Sequence, residues 1–411
     1  MNRARPPTIL IVTSGLLCRN PRVLKEATTL GENGYDVTVL AIANVGRYEA
    51  YDREIMKTAP FRRETVDHIS SDWRTRLTAL RSRAGTWLAR RSLSWGWERE
   101  SALGPIRELR QKAEAHRADL TIVHTEQGFA VGAALLAQGR RVAADFEDWH
   151  SRDLLPADQR GRPLRLLRRC EQELLRRAAY STTTSDAMAD ALAQAYSGPR
   201  PAVLRNVFPL QPDPRSGPGS PVPSFFWFSQ TIGPGRMLEL FLAAWRQTER
   251  PSRLCLLGDA SSAYRKKLES RVPPRQRSAL EFLPIVSPAE LPSLIARHDL
   301  GLALEPSVPD NKNFTISNKI FQYLNAGLGV LATPTVGQRE VLDSAPGAGE
   351  ILDLTQTTAL ARRLDALLAD APGRIGMGAA ARRAAEARFC WEKAAPVLLD
   401  AVARALHSPA P

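Results

Sequence analysis

The sequence predicts an α/β protein made of two doubly wound, Rossmann-like domains joined by a hinge. Three observations carry this. Twelve strand-length runs alternate with helical stretches, and several are almost continuously apolar, as parallel strands buried on both faces are. The chain has 411 residues, more than one ordinary core accommodates. A single proline-rich stretch divides the runs into two equal sets.

The first set is TILIVT (8–13), DVTVLAI (36–42), DLTIVHT (119–125), RVAADF (141–146), YSTTTS (180–185) and PAVLRN (201–206). The second is FFWFS (225–229), RLCLLGD (253–259), LEFLP (280–284), DLGLALE (299–305), GVLATP (329–334) and EILDL (350–354). Strand–helix alternation implies parallel sheets with helices on both faces. Between the sets, residues 209–224 hold six prolines, two glycines and three serines, a composition that suits neither a helix nor a central strand. The expected domains are 1–208 and 225–388, with 209–224 as linker and a last helix at 389–406.

One insertion interrupts the first domain. Residues 62–117 carry 13 basic and seven acidic side chains and four of the eight tryptophans. Trp73, Leu77, Leu80, Ala84, Trp87 and Leu88 fall on one helical face, with Arg74, Arg76, Arg81, Arg83, Arg90 and Arg91 largely elsewhere. Such a helix packs on its own domain or lies on an anionic membrane surface.

Composition narrows the class. Hydrophobic residues at 44% and charged residues at 24% suit a folded soluble chain. No apolar run approaches a membrane span, and the N-terminus lacks the pattern of a signal peptide, so a cytoplasmic location is expected. Cys18, Cys170, Cys255 and Cys390 are far apart, which argues against a zinc site or a disulfide framework. The net charge of +13 implies an anionic partner, although arginine alone supplies 48 of the 56 basic residues and genome composition also favours it. No motif for nucleic-acid recognition accompanies the charge, and no nucleic-acid partner is expected.

Absent motifs exclude several chemistries. There is no GxxxxGK[ST] phosphate loop, no HExxH, no GxSxG and no Asp-x-Asp metal pair. The first strand leads into SGLLCRNPR, with one glycine, so a dinucleotide fingerprint is missing. No metal and no resident cofactor are expected.

Three clusters remain as candidate sites. Asn20 and Pro21 read as the N-cap and first residue of a helix that stops at Gly34. This places Gly15 at the carboxyl edge of the first sheet, where open α/β sheets bind ligands, with Arg19 and Arg22 either facing that crevice or solvated on an exposed loop. In RVAADFEDWHSRDLL, Glu147, Asp148 and His150 crowd the same edge. Glu147, then Asp148, is the candidate general base toward a hydroxyl nucleophile; the competing reading is that Asp148 or Ser151 caps the next helix.

In ISNKIFQYLNAGLGVLA (316–332), Ser317 reads as an N-cap and Gly327 as a stop, with Ile316, Ile320, Phe321 and Leu324 facing the core. Asn318, Lys319 and Gln322 share the other side. A lysine in the first turn opposes the helix dipole, a small penalty that a solvated side chain bears easily and that a bound anion reverses. A diphosphate bound by Lys319 and the free N–H groups is such an anion, with Gln322 in reach of an attached ribose.

On these residues the chain resembles the GT-B nucleotide-sugar glycosyltransferases, glycosyltransferase family four above all. NPRVLKEATTLGENGYDVTVLA resembles their first strand–helix–strand unit and YSTTTSDAMADAL…AVLRN their pre-hinge strands. LPSLIARHDLGLALEPS…NKIFQYLNAGLGVLATPTVGQREVL is similar to their donor-binding core, and FCWEKAAPVLLDAVARAL to a last helix that packs back on the first domain. The resemblance implies a nucleotide diphosphate sugar as substrate, a glycan or lipid-linked acceptor with a hydroxyl group, and hexosyl transfer in cell-surface glycan or polysaccharide synthesis.

The carry-over is selective. Gln322 stands where the family commonly has a ribose-binding Glu, and Phe314 where a Glu-x7-Glu pattern has its first acid. Gln230 and Gly235 align with the basic pair that holds the diphosphate, so Arg236 is the expected substitute, opposite Lys319. Glu305, Ser317 and Asn318 complete the implied donor set, and Glu147 aligns with a His-bearing loop. The broken acid pattern also suits a non-catalytic scaffold or sensor in a glycan assembly complex. The resemblance is compatible with peripheral association at the inner face of a membrane.

Overall fold

The computed structural model describes residues 5–43, 49–67, 77, 79–80, 83–85, 87, 100–159, 162–212 and 222–408. It contains two compact units, residues 1–204 with 395–411, and residues 205–394.

The first unit holds a seven-stranded parallel sheet in the order β3-β2-β1-β4-β5-β6-β7. Its strands are β1 Thr8–Val12, β2 Asp36–Ile42, β3 Arg62–Val66, β4 Leu120–Val123, β5 Val142–Phe146, β6 Ser181–Thr183 and β7 Ala202–Val203. Ile9 lies between Val37 and Leu120, so β1 and β4 are neighbours whose connections leave in opposite directions. That reversal opens a crevice beyond their carboxyl ends.

The six runs expected in this half all form strands. β3 was not expected. Its sequence, RRETV, is only partly buried and lies at the sheet edge beside β2, where charged side chains are tolerated and an apolar signal is not required. It opens the basic insertion, which also contains the helix Ile106–His116. Of the insertion's amphipathic face, Trp73 and Leu88 lie outside the described residues, as do Arg74, Arg76, Arg81, Arg90 and Arg91. Leu77, Leu80 and Trp87 are exposed.

The helix Pro21–Glu32 begins as its sequence suggests, with Asn20 Oδ1 accepting the Val23 N–H at 3.1 Å and Pro21 in the first turn. The last helix, Trp391–His407, passes from the second unit into the first at Ala395.

The second unit holds a six-stranded parallel sheet in the order β10-β9-β8-β11-β12-β13. Its strands are β8 Ser224–Ile232, β9 Arg253–Ala260, β10 Leu280–Leu283, β11 Leu300–Ala303, β12 Gly329–Ala332 and β13 Gly349–Ile351. The topological reversal falls between β8 and β11. Phe225, Trp227, Phe241 and Trp245 fill the core on one face of this sheet. The incoming segment is tied down within the same unit, where Arg382 donates to the carbonyls of Gln211 and Asn325, and Asn325 Nδ2 donates to Pro209 O. Of the expected linker, residues 213–221 lie outside the described residues. No helix among the described residues is long and apolar enough to cross a membrane.

The helix Asn318–Asn325 packs Ile320, Phe321 and Leu324 inward and ends before Gly327, which adopts φ 68°. Tyr323 anchors it. Its hydroxyl lies 3.1 Å from Phe226 O and 3.2 Å from Leu302 O, so the ring crosses directly over β11. Gly301 makes this possible, because a Cβ there would lie 2.2–2.6 Å from three ring atoms of Tyr323. Gly301→Ala is therefore expected to destabilise the protein by about 1–3 kcal/mol through overpacking, read as a lower denaturant midpoint.

Candidate functional site

Charged side chains gather at the carboxyl edge of each sheet. In the second unit, Glu305 follows β11, Arg236 lies in the loop after β8, and the helix Asn318–Asn325 starts beside them. Glu305 is 6% exposed and Lys319 8%. Lys319 Nζ donates to Glu305 Oε1 at 2.9 Å, Ser317 Oγ donates to the same oxygen at 3.3 Å, and Lys312 Nζ lies 3.5 Å from Oε2. The Lys319 ammonium also stands 5.5 Å over the ring of Trp227.

Burial opposes ionisation of Glu305, but Lys319 and Lys312, with help from Arg236, hold its carboxyl down at about 2. These four side chains carry three cations and one anion, a surplus of two positive charges among them. Backbone bonds fix the carboxylate in place: Glu305 N–H donates to Thr333 Oγ1 at 2.8 Å, and that hydroxyl donates to Glu305 O at 2.6 Å.

The Ser317 side chain is a difference from expectation. It occupies the N-cap position but makes no capping bond, because its hydroxyl is turned to Glu305. Lys319 is a buried ion-pair partner rather than a solvated lysine. Asn318, Gln322 and Arg236 are half-buried.

In the first unit, Asp145 projects from β5 into a closed cluster. Both its oxygens accept from Arg22, Oδ1 from Nη2 at 2.7 Å and Oδ2 from Nε, while Arg22 Nη1 donates to Leu204 O at 2.5 Å. Thr182 Oγ1 adds a bond to Asp145 Oδ1 at 3.1 Å. His124, at the end of β4, lies 3.1 Å from Glu26 Oε2 and 3.3 Å from Asp145 Oδ2. Arg22 is fully buried, which corrects the expectation that it faces a crevice. The reason is electrostatic: a buried carboxylate on β5 demands a cation, and Arg22 on the adjacent helix supplies one with two hydrogen bonds.

Burial raises the Glu26 pKa, whereas Glu26 and Asp145 raise that of His124 against the effect of its own burial. The 3.1 Å contact between His124 Nε2 and Glu26 Oε2 is one cause of the rise at His124, since Glu26 favours the charged imidazole. Glu26, His124 and Asp145 offer a carboxylate–imidazole donor set within 4.8 Å of one another. Both Asp145 oxygens are already committed to Arg22, however, so the resident cation of this cluster is the guanidinium.

Next to the cluster, burial raises Glu147 to about 7, opposed by Arg22 and reinforced by Asp148 and Asp145. Burial and Arg22 lower Lys25 to about 7. Asp148 is half-buried, and His150 is buried edge-on to Phe129. The turn after β5 is locked from below. Glu171 accepts Ser151 N–H at 3.0 Å and the Tyr196 hydroxyl at 2.6 Å, while Trp149 Nε1 donates to that hydroxyl at 3.0 Å. Neither Asp148 nor Ser151 caps the next helix, which starts at Leu164 behind Pro163. Gly15 is half-buried in the loop after β1, and Arg19 is exposed on the turn that follows.

Glu26, Asp145, His124, Lys25, Lys312 and Trp227 were missed by sequence reasoning. Signals existed for some of them. Asp145 is the one charged residue in an otherwise apolar strand, His124 ends another, and Glu26 stands four residues after Arg22 on one helix face.

The profile described as "Glycosyl transferase 4-like domain" matches residues 20–207, and that described as "Glycosyl transferases group 1" matches residues 224–370. The chain belongs to the GT-B glycosyltransferases of the family-four type. It is therefore a glycosyltransferase enzyme with the α/β fold that its sequence predicted. Solved structures carry the same fold. HepE of Anabaena, in complex with UDP, is 18% identical over 97% of this chain and 99% of its own, with a TM-score of 0.68. A glycosyltransferase from Rickettsia africae is 12% identical over 99% and 100%, with a TM-score of 0.69. WaaG, described as involved in lipopolysaccharide biosynthesis, is 13% identical over 95% and 99%, with a TM-score of 0.62. No curated protein sequence matched.

Two expectations follow for this glycosyltransferase. Arg22→Met is expected to destabilise it by roughly 3–5 kcal/mol, since Asp145 would lose its cation, and Arg22→Lys is expected to restore only part of this in equilibrium unfolding. The lowered pKa of Glu305 makes a stabilising contribution that is complete above the ordinary value of 4.5 and is lost as pH falls toward about 2. The loss is expected to be roughly 3 kcal/mol, and unfolding of Glu305→Gln over the same range is expected to lack it.

Proposed function

We propose that this glycosyltransferase moves a hexosyl group from a nucleotide diphosphate sugar to a hydroxyl of a glycan or lipid-linked acceptor, in cell-surface glycan or polysaccharide synthesis. The observation that carries the reading is the surplus of positive charge around buried Glu305 at the reversal point of the second sheet. Arg236, Lys319 and the N–H groups at Ser317 and Asn318 neutralise the diphosphate, and with it the charge that develops on the leaving group. In this reading the cations do the work of a metal ion. Glu305 Oε2 accepts no hydrogen bond, which suits it to receive one from a sugar or ribose hydroxyl. Gln322, half-buried one turn along the helix, accepts or donates to the ribose without a charge. UDP is the first nucleotide to test, because HepE is solved with UDP and with UDP-glucose.

The acceptor side belongs to the first unit, with Gly15, Arg19 and His150 lining it. Arg22 acts from beneath, by holding Asp145. Glu147 is the general base, because a carboxyl at about 7 is half-ionised at working pH and takes a proton readily. Asp148 is its deputy. The protein works in the cytoplasm, with peripheral contact at the inner face of the membrane through 62–117. The exposed Leu80 and Trp87 favour that contact.

Thermal-shift titration with UDP, GDP, dTDP, ADP and CMP sugars tests the donor site, and UDP-sugars are expected to give the largest stabilisation. Arg236→Gln is expected to keep the melting temperature of the free protein and to weaken donor binding by roughly ten- to a hundredfold. Transfer is expected to rise through about pH 7, with Glu147→Gln lowering it at least about a hundredfold. Full transfer rates in both Glu147→Gln and Asp148→Asn would eliminate the base assignment. Donor binding without turnover on any acceptor would favour a non-catalytic scaffold or sensor.

A further inference from the structure

Away from both carboxyl edges, the second unit has a pocket of about 570 Å³ lined by Arg246, Arg271, Arg275 and Arg277. Arg246 follows the helix Leu238–Trp245, and Arg271 lies two residues beyond the helix Ser262–Glu269. These helices follow parallel strands β8 and β9, so their carboxyl ends return to the amino edge of the sheet. The pocket is therefore on the opposite edge from Glu305 and Lys319.

No acidic residue lines it. Among the described residues, no carboxylate pairs with any of the four guanidinium groups, and Arg277 Nε donates only to Val272 O at 3.3 Å. Some exposed arginines elsewhere pair with acids, as Arg200 does with Asp186 and Asp190, and Arg363 with Glu350. Helix dipoles provide one reason for cations here, worth about 0.3–1 kcal/mol each. That reason covers Arg246 and Arg271. It leaves Arg275, on the short turn Pro274–Ala279, without a cause.

We infer that this pocket binds a small anion bearing at least two phosphoryl groups. Four arginines line one open pocket with no acid among them, and guanidinium matches phosphate oxygens two bonds at a time. A single phosphate would neutralise only about half of their charge and fill little of the volume. The amide of Gln247, which donates one N–H to Ala243 O at 3.1 Å, has a second N–H to offer as an uncharged donor. Pro273 and Pro274 make a stiff wall, and the lining offers no aromatic ring on which a nucleobase could stack. The ligand is thus a free diphosphate ester or the headgroup of a lipid that carries two phosphates.

The test is calorimetry of the full-length chain with inorganic pyrophosphate and with orthophosphate, at constant ionic strength. Wild type is compared with Arg271→Gln/Arg275→Gln and with Lys319→Gln. Pyrophosphate is expected to bind wild type at least about tenfold more tightly than orthophosphate does. This binding should survive in Lys319→Gln and fall at least about tenfold in the double arginine variant. Both arginines are exposed, so the double variant is expected to keep the wild-type melting temperature. Arg246→Gln/Arg277→Gln provides an independent second pair. Sedimentation with phosphatidylcholine vesicles, with and without cardiolipin, identifies the source. Cardiolipin binding that the arginine variants abolish supports a lipid headgroup. Equal affinity for the two phosphates, or full binding in both arginine variants, overturns the inference. Loss of pyrophosphate binding only in Lys319→Gln also overturns it and places the anion at the proposed donor site.

Discussion

A guanidinium sealed from water holds the carboxyl edge of the first sheet together. Arg22 reaches from the helix Pro21–Glu32 to Asp145 on β5 and to the carbonyl of Leu204 beyond β7. Asp145 and Glu26, which lie against it, raise the pKa of His124 at the end of β4. One side chain thereby ties the helix that follows the β1 loop to β5 and to the chain beyond β7. The arrangement is costly to desolvate and destabilising to break, so it specifies one geometry where several are otherwise open.

The second sheet solves the same problem with the opposite polarity. There the buried anion is Glu305, and the cations come from the helix Asn318–Asn325 and from the segments around Lys312 and Arg236. The cations outnumber the carboxylate, so the edge remains electropositive after the internal pair has formed. In the first unit the charges are nearly matched, and what they leave is a carboxyl whose proton comes off near neutrality. An edge with more cations than anions and a carboxyl raised to about 7 thus arise from two balances of the same ingredients.

The basic character of the chain is distributed unevenly. Some arginines are consumed inside the fold, as Arg22 and Arg162 are. Others are matched on the surface by acids, which gives solubility more than stability. Those around the pocket at the amino edge of the second sheet are neither. A net charge alone, inflated by a preference for arginine over lysine, does not distinguish these three uses.

The sequence by itself determined the fold class and nearly every strand, because burial on both faces of a parallel sheet writes continuous apolar runs into local sequence. Residues 62–66 escaped, since an edge strand needs no such run. Local chemistry also determined the cap at Asn20, the stop at Gly327 and the gathering of polar groups on the helix beginning at Asn318. Only the tertiary structure decided what those polar groups meet. Lys319 and Ser317 turn to Glu305, 14 and 12 residues away, and Arg22 turns inward to an acid 123 residues away. The physical reason is that a charge taken out of water must find an opposite charge. Which one it finds depends on the packing of distant strands and helices, and no local pattern records that.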